Sequence, residues 1–321
     1  MINDILKSLA VFILSFSPSI VFSQNLQVVT SVAPISNMVA NVGAGLIEVH
    51  GIVPEGVNSH TFEPAPSDAK WLRQADLIIL NGLDLEIPTI KLAQKVKRTG
   101  VNIVQLGDLA IGKHDWKFDF SFPESEGHPN PHLWPNMALA MRYAELARDA
   151  LVHLDPTNRD KYFANTTAYL RKMSHLDAAI FECVAAIPSQ NRRLVTYHDS
   201  YAYFAPRYGM QVIGAIQPSD FSQPTPKEVG RIIRQLRQQK VPAVFGSEVF
   251  SSKVLQQIAK EANAKFIDEL ADDDLPYEKN HPEHSFLGMM KNNLMVMSKA
   301  LGGDVNCMQG IDATNLSGTS F

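Results

Sequence analysis

From residue 26 onward the chain alternates short apolar runs with amphipathic stretches. Residues 26–31 and 47–53 are β-rich runs, and residues 75–80 (ADLIIL) are continuously apolar. A run of that kind suits a strand buried on both faces of a parallel sheet. Residues 35–42, 67–74 and 90–98 carry helical patterning, and residues 102–106 read as the next strand. Ser67 can cap the middle helix, and Asp68 favours its N-terminus. Four strand–helix alternations predict a parallel sheet.

The same order returns after residue 190. Strands are expected at 194–196, 211–216, 243–245 and 265–267, with helices at 200–207, 226–239 and 253–262. VVTSVAPISNMVANVG (28–43) is echoed by LVTYHDSYAYFAPRYG (194–209), and ADLIILNGLDLE (75–86) by VPAVFGSEVF (241–250). A duplicated α/β lobe is the economical reading. Residues 135–186 between the halves are helical in character. Pro156 belongs in a first helical turn, where its missing N–H is harmless, and no Gly or Pro follows it up to Ala186. About 30 residues would make a rod of roughly 45 Å. The expected fold is therefore α/β: two duplicated lobes with parallel four-stranded sheets, joined by one long rigid helix. The expected boundaries are 24–154, 155–187 and 188–321. Two ordinary packed helices are the alternative for the joining segment.

The first 23 residues stand apart. SLAVFILSFSPSIVF (8–22) follows Lys7 and is short for a spanning helix, which needs about 20 apolar residues. A small residue, Ser23, precedes polar Gln24-Asn25, so a cleavable secretory signal ending at Ser23 is expected, with an uncleaved anchor as the alternative. No Cys lies near that cut, so no lipid anchor is expected on the mature protein, which should be soluble in an oxidising compartment. Cys183 and Cys307 are the only cysteines. They can pair there. The alternative is one buried thiol and one exposed near the C-terminus. Neither lies in a CxxC, which argues against a thiolate metal site. A net charge of −4 without a basic stripe makes nucleic acid a poor partner.

Open α/β sheets bind ligands at the C-terminal ends of their strands. His60 follows the second strand in NSHTFEPAPSD, and His132 lies in HPNPHLWPN just before a helix. His198 directly follows the fifth strand in VTYHDSYAYF, and Asp268 follows the last strand in KFIDEL. Their separations of 72, 66 and 70 residues place each in a different unit, two per lobe. Three imidazoles and one carboxylate can converge between the lobes. That donor set suits tetrahedral zinc, although manganese and iron(II) accept it too. Asp272, Asp273 and Asp274 are substitutes for Asp268, or else a solvated turn. Glu248 and Asp199 are candidates to accept a proton from a ligand imidazole and fix its tautomer.

NSHTFEPAPSD, NPHLWPN, VTYHDSYAYFAPRYG and Asp268-Glu269-Leu270 together resemble the four signature regions of the cluster A-I solute-binding proteins. Those are the periplasmic zinc and manganese receptors of ABC importers. The resemblance runs from residue 26 to about 302. It implies metal held between two lobes by His60, His132, His198 and Asp268. It also implies a periplasmic location, a membrane permease as partner, a monomer, and a periplasmic metallochaperone as a possible donor. Manganese members typically carry glutamate at the third position. His198 makes this chain similar to the zinc branch. Zinc members often have a long His- and Asp-rich loop before the second ligand. Residues 107–130 hold only His114 and His128 with Asp115, Asp119, Glu124 and Glu126. Residues 272–285 add His281 and His284, as a secondary site, a docking surface or a plain polar loop.

Two other functions compete. A zinc hydrolase would keep an open coordination position and a general base, yet no HExxH is present. A metal-dependent adhesin or a receptor for a small organic ligand would need aromatic or Arg contacts in the cleft, and Trp71, Trp116 and Trp134 are not obviously placed to give them. A metal-capture protein, not an enzyme, is the expectation.

Overall fold

The computed structural model describes residues 25–247, 253–268 and 270–319. Its first half runs β1 (Leu26–Thr30), α1 (Ala33–Val42), β2 (Ile47–Gly51), α2 (Asp68–Gln74), β3 (Leu77–Leu80), α3 (Ile87–Val96), β4 (Asn102–Gln105) and the short α4 (Leu106–Ala110). Two long helices follow, α5 (Met137–Leu154) and α6 (Arg159–Ala186). The second half runs β5 (Arg193–Thr196), α7 (Phe204–Tyr208), β6 (Gln211–Ala215), α8 (Pro226–Gln239), β7 (Ala243–Phe245), α9 (Lys253–Ala262), β8 (Lys265–Ile267) and α10 (Phe286–Leu301).

Both sheets have four parallel strands. Their orders, β2-β1-β3-β4 and β6-β5-β7-β8, are the same permutation. In each, the chain crosses from one side of the first strand to the other, which opens a crevice at the C-terminal edge where a ligand can sit. The duplication and the parallel sheets thus agree with the sequence pattern. So does the long helix. Pro156 forms a single 3-10 turn, and α6 then continues for 28 residues, about 42 Å. α6 also packs along α5.

Two local expectations shift. Ser67 occupies the cap position of α2, but its side chain makes no capping bond; its backbone is already helical. Asp68 instead accepts from the N–H of Ala65 at 2.7 Å. The helix expected at 200–207 begins only at Phe204, because residues 199–203 are drawn into the interface between the lobes. α10, not among the expected helices, buries a broad face and leaves Lys291, Asn292, Met295 and Lys299 on the outer side.

α10 matters for the site. It packs on α1 of the first lobe and on α6. Its Asn293 holds Ala271, beyond β8, through both the N–H and the carbonyl of that residue. The chain beyond α10 returns across the molecule. Cys307 is disulfide-bonded to Cys183 of α6, Lys172 of α6 contacts Asp312 and Thr314, and Asn315 accepts from Asn37 and Asn41 of α1.

Candidate metal centre

His60 and His132 reach the crevice from the first lobe, on loops that are each started by an asparagine two residues earlier. Asn58 Oδ1 accepts from the N–H of His60 at 3.0 Å, and Asn130 Oδ1 accepts from the N–H of His132 at 3.0 Å. Such Asx turns pin a loop without regular structure. The His132 loop is further tied to the sheet. Asn81, just past β3, donates to the carbonyl of Pro131 at 3.1 Å and accepts from Tyr143 of α5 at 2.7 Å. His198 comes from the second lobe, two residues beyond β5.

The three rings meet. Nε2 of His60 lies 3.2 Å from Nε2 of His132 and 2.9 Å from Nε2 of His198. One ligand atom from each residue falls within 4.8 Å of the others. Tetrahedral zinc–nitrogen bonds would separate two donors by about 3.3 Å. His132 and His198 are only 0% and 2% exposed, and His60 alone reaches a cavity of about 180 Å³ that leads outward. Phe221, from the second lobe, stacks on His60 with ring centroids 4.5 Å apart and planes 9° from parallel. Phe122 and Trp134 complete an aromatic surround.

The far side of each buried ring is committed elsewhere. Nδ1 of His132 is 2.7 Å from Asn130 Oδ1, which can only accept from it. Nδ1 of His198 is 2.7 Å from Oδ2 of Asp272. Both contacts place the ring proton on Nδ1 and leave Nε2 bare. Burial holds His132 well below the usual histidine range, and its imidazole neighbours His198 and His60 push the same way. His60 is lowered for the same reasons, burial first and His198 next, with Asp272 opposing. The bare Nε2 atoms of His132 and His198 both face Nε2 of His60, and one shared cation can accept a lone pair from each ring. Neutral imidazoles with nitrogens at this spacing are a fit for a borderline divalent metal rather than for calcium or magnesium.

Asp268 sits at the end of β8 with its carboxylate against Gly246, where any Cβ would collide with it. It is exposed and is not among the three grouped ligands. Asp272–Asp274 instead engage the crevice. Besides the Asp272 contact, Asp273 accepts from Ser59 Oγ at 2.6 Å and Asp274 accepts from the N–H of Gly56 at 2.7 Å. The second lobe thereby grips the very loop that carries His60. Asp199 does not face His198 Nδ1. It accepts from the N–H of Ser121 and shares a hydrogen bond with Asp119, and burial raises both carboxyls. Glu248 lies outside the described residues. His114 pairs with Asp115 on the surface, and His128 pairs with Asp84 beside the cavity. His284 is buried, with Nδ1 near the carbonyls of Pro276 and Tyr277. Nδ1 of His281 accepts from the N–H of Glu283.

Sequence reasoning missed Asn130, Phe221 and the true position of Asp272. The repeated N-x-H spacing, 58–60 and 130–132, was the available signal for the first.

Residues 28–300 match the family described as "ZnuA: Zinc-uptake complex component A periplasmic". The chain belongs to the ZnuA family. Curated relatives include the metal ABC transporter substrate-binding lipoprotein FimA of Streptococcus parasanguinis, 30% identical, with 87% of this chain and 90% of that protein covered. The iron-binding protein YfeA of Yersinia pestis is 29% identical over 87% and 88%. The solved periplasmic zinc-binding protein TroA of Treponema pallidum superposes with a TM-score of 0.79 at 25% identity, covering 87% of this chain and 99% of that one. As a ZnuA family member of the cluster A-I type, the protein is an extracytoplasmic metal-binding receptor of an ABC importer, with a membrane permease as its partner. Such proteins are transport components, so the hydrolase reading falls away. Several relatives are named lipoproteins, and the expectation of an unanchored N-terminus finds no support in them.

Proposed function

We propose that the protein captures zinc(II) with His60, His132 and His198, that Asp268 swings in as the fourth ligand, and that the ion is handed to the permease. The single observation that carries this reading is the convergence of three Nε2 atoms while the Nδ1 sides of the two buried rings face Asn130 and Asp272. Relatives are named for manganese and for iron as well, so the choice of zinc rests on the imidazole-rich donor set. What supports Asp268 in this role is that it follows β8, at the same sheet edge as His198, with its carboxylate against Gly246. Four protein ligands close the coordination sphere and leave no position for a reactive water.

The lobes are taken as 24–154 and 188–321, with 155–187 joining them, in a periplasmic monomer that a metallochaperone could load. The stiff α6 resists wide hinge opening, so release proceeds through local movement of a ligand loop. Metal binding stabilises the closed arrangement by mass action. Calorimetric titration of zinc and of manganese into chelator-stripped protein tests the assignment. Tighter zinc is expected; tighter manganese overturns it. Asp268→Ala should weaken zinc, and unchanged affinity would remove Asp268 from the ligand set.

A further inference from the structure

We propose that Asn130 is the positioning residue that sets the tautomer of His132 and couples the two lobes through one amide group. Its side chain is fully buried. Oδ1 faces two N–H groups of His132, the backbone at 3.0 Å and Nδ1 at 2.7 Å. Nδ2 faces oxygen only. It donates to the carbonyl of Asp199 at 2.6 Å and points at both carboxyl oxygens of Asp119 at 3.4 Å. Turning the amide over would set its NH2 against the backbone N–H of His132 and its oxygen against the Asp199 carbonyl. One orientation therefore satisfies every neighbour.

That orientation has two consequences. The amide oxygen can only accept from His132 Nδ1, so Nε2 of that ring is left as the metal-facing lone pair. Asp199 directly follows His198, so the same amide joins a ligand of the first lobe to the residue beside a ligand of the second. Separating the lobes must break the Nδ2 bond. Aspartate cannot replace it, because it offers acceptors at both ends, and alanine offers nothing. Asn58 stands in the same turn position before His60, where its Oδ1 accepts from the backbone N–H of that residue, which gives an internal comparison.

The inference rests on the metal reading for its purpose, yet its test begins without metal. Nitrogen-15 NMR of the histidines in stripped protein reports the His132 tautomer directly. Wild type and Asn130→Asp should both show the Nδ1–H form, and Asn130→Ala a mixture. In the loaded state, competition with a chromophoric chelator should show zinc held about 10–100-fold less tightly by Asn130→Ala. Asn130→Asp, which keeps the acceptor and loses the donor, should release zinc faster than wild type. Asn58→Ala should leave the His132 tautomer as in wild type. A pure Nδ1–H form in Asn130→Ala overturns the proposal, as does an equal shift in Asn58→Ala. If Asn130→Ala fails to fold, wild-type release kinetics in Asn130→Asp overturn the coupling. Failure of wild type to retain any transition metal would instead sink the metal reading, and the tautomer result would stand apart from it.

Discussion

Oδ2 of Asp272 lies 2.7 Å from Nδ1 of His198, and the two side chains are 4% and 2% exposed. A carboxylate behind a ligating imidazole fixes the ring and raises its basicity as a donor. The backbone carbonyl of Asp272 also accepts from Nε1 of Trp134, so the residue is held from two sides. Asp272→Asn should lower zinc affinity by about 10–100-fold while the protein stays folded. Chelator competition measures it, and affinity within twofold of wild type would show that the contact does not serve the ligand.

His60 and Phe221 come from different lobes and stack face to face. Phe221 adopts a left-handed backbone, φ 57°, to reach that position. Phe221→Ala should remove about 0.5–1.5 kcal/mol of ring contact beyond simple burial. Stopped-flow release of zinc to excess chelator should then be several-fold faster, because the ring covers His60, which lines the outward cavity. An unchanged release rate would place the rate-limiting movement elsewhere.

Asp119 is pushed up to about 9 by burial and by the neighbouring Asp199. Its folded form keeps a proton that the unfolded chain has lost above pH of about 4. Folding therefore takes up a proton across that window, and stability falls as pH rises through it, by up to about 1.4 kcal/mol per pH unit. In metal-free Asp119→Asn, the decline in unfolding free energy between pH 6 and 9 should be shallower by about one proton. An identical slope in denaturant titrations at several pH values would contradict the shared-proton arrangement.

The two sheets and the joining helix were legible because apolar strand runs and an uninterrupted helical stretch are local signals. The three histidines were legible because each follows a strand or a proline-rigid loop at a predictable edge. Asp272 was not. Its role depends on α10, where Asn293 pins Ala271 and so aims the next residue into the crevice. No spacing within residues 268–274 distinguishes one aspartate from another. Phe221 was hidden for the same kind of reason: its partner is 161 residues away and in the other lobe. The Ser67 cap failed because Asp68, one residue on, satisfies the turn instead.

The disulfide joins positions 124 residues apart and fastens the returning C-terminal segment to α6. Serine at both Cys183 and Cys307 should cost about 2–4 kcal/mol of stability. Zinc affinity should be nearly unchanged, since no ligand is removed. Denaturant unfolding compared with titration separates the two effects; lost affinity with intact stability would mean that the segment shapes the site.

X-ray absorption at the zinc edge of the loaded protein probes the convergence of the ligands most directly. Three imidazole nitrogens and one oxygen donor at about 2.0 Å, in four-coordinate geometry, are predicted. A shell with fewer than three imidazoles, or a six-coordinate oxygen-rich shell, would contradict the account.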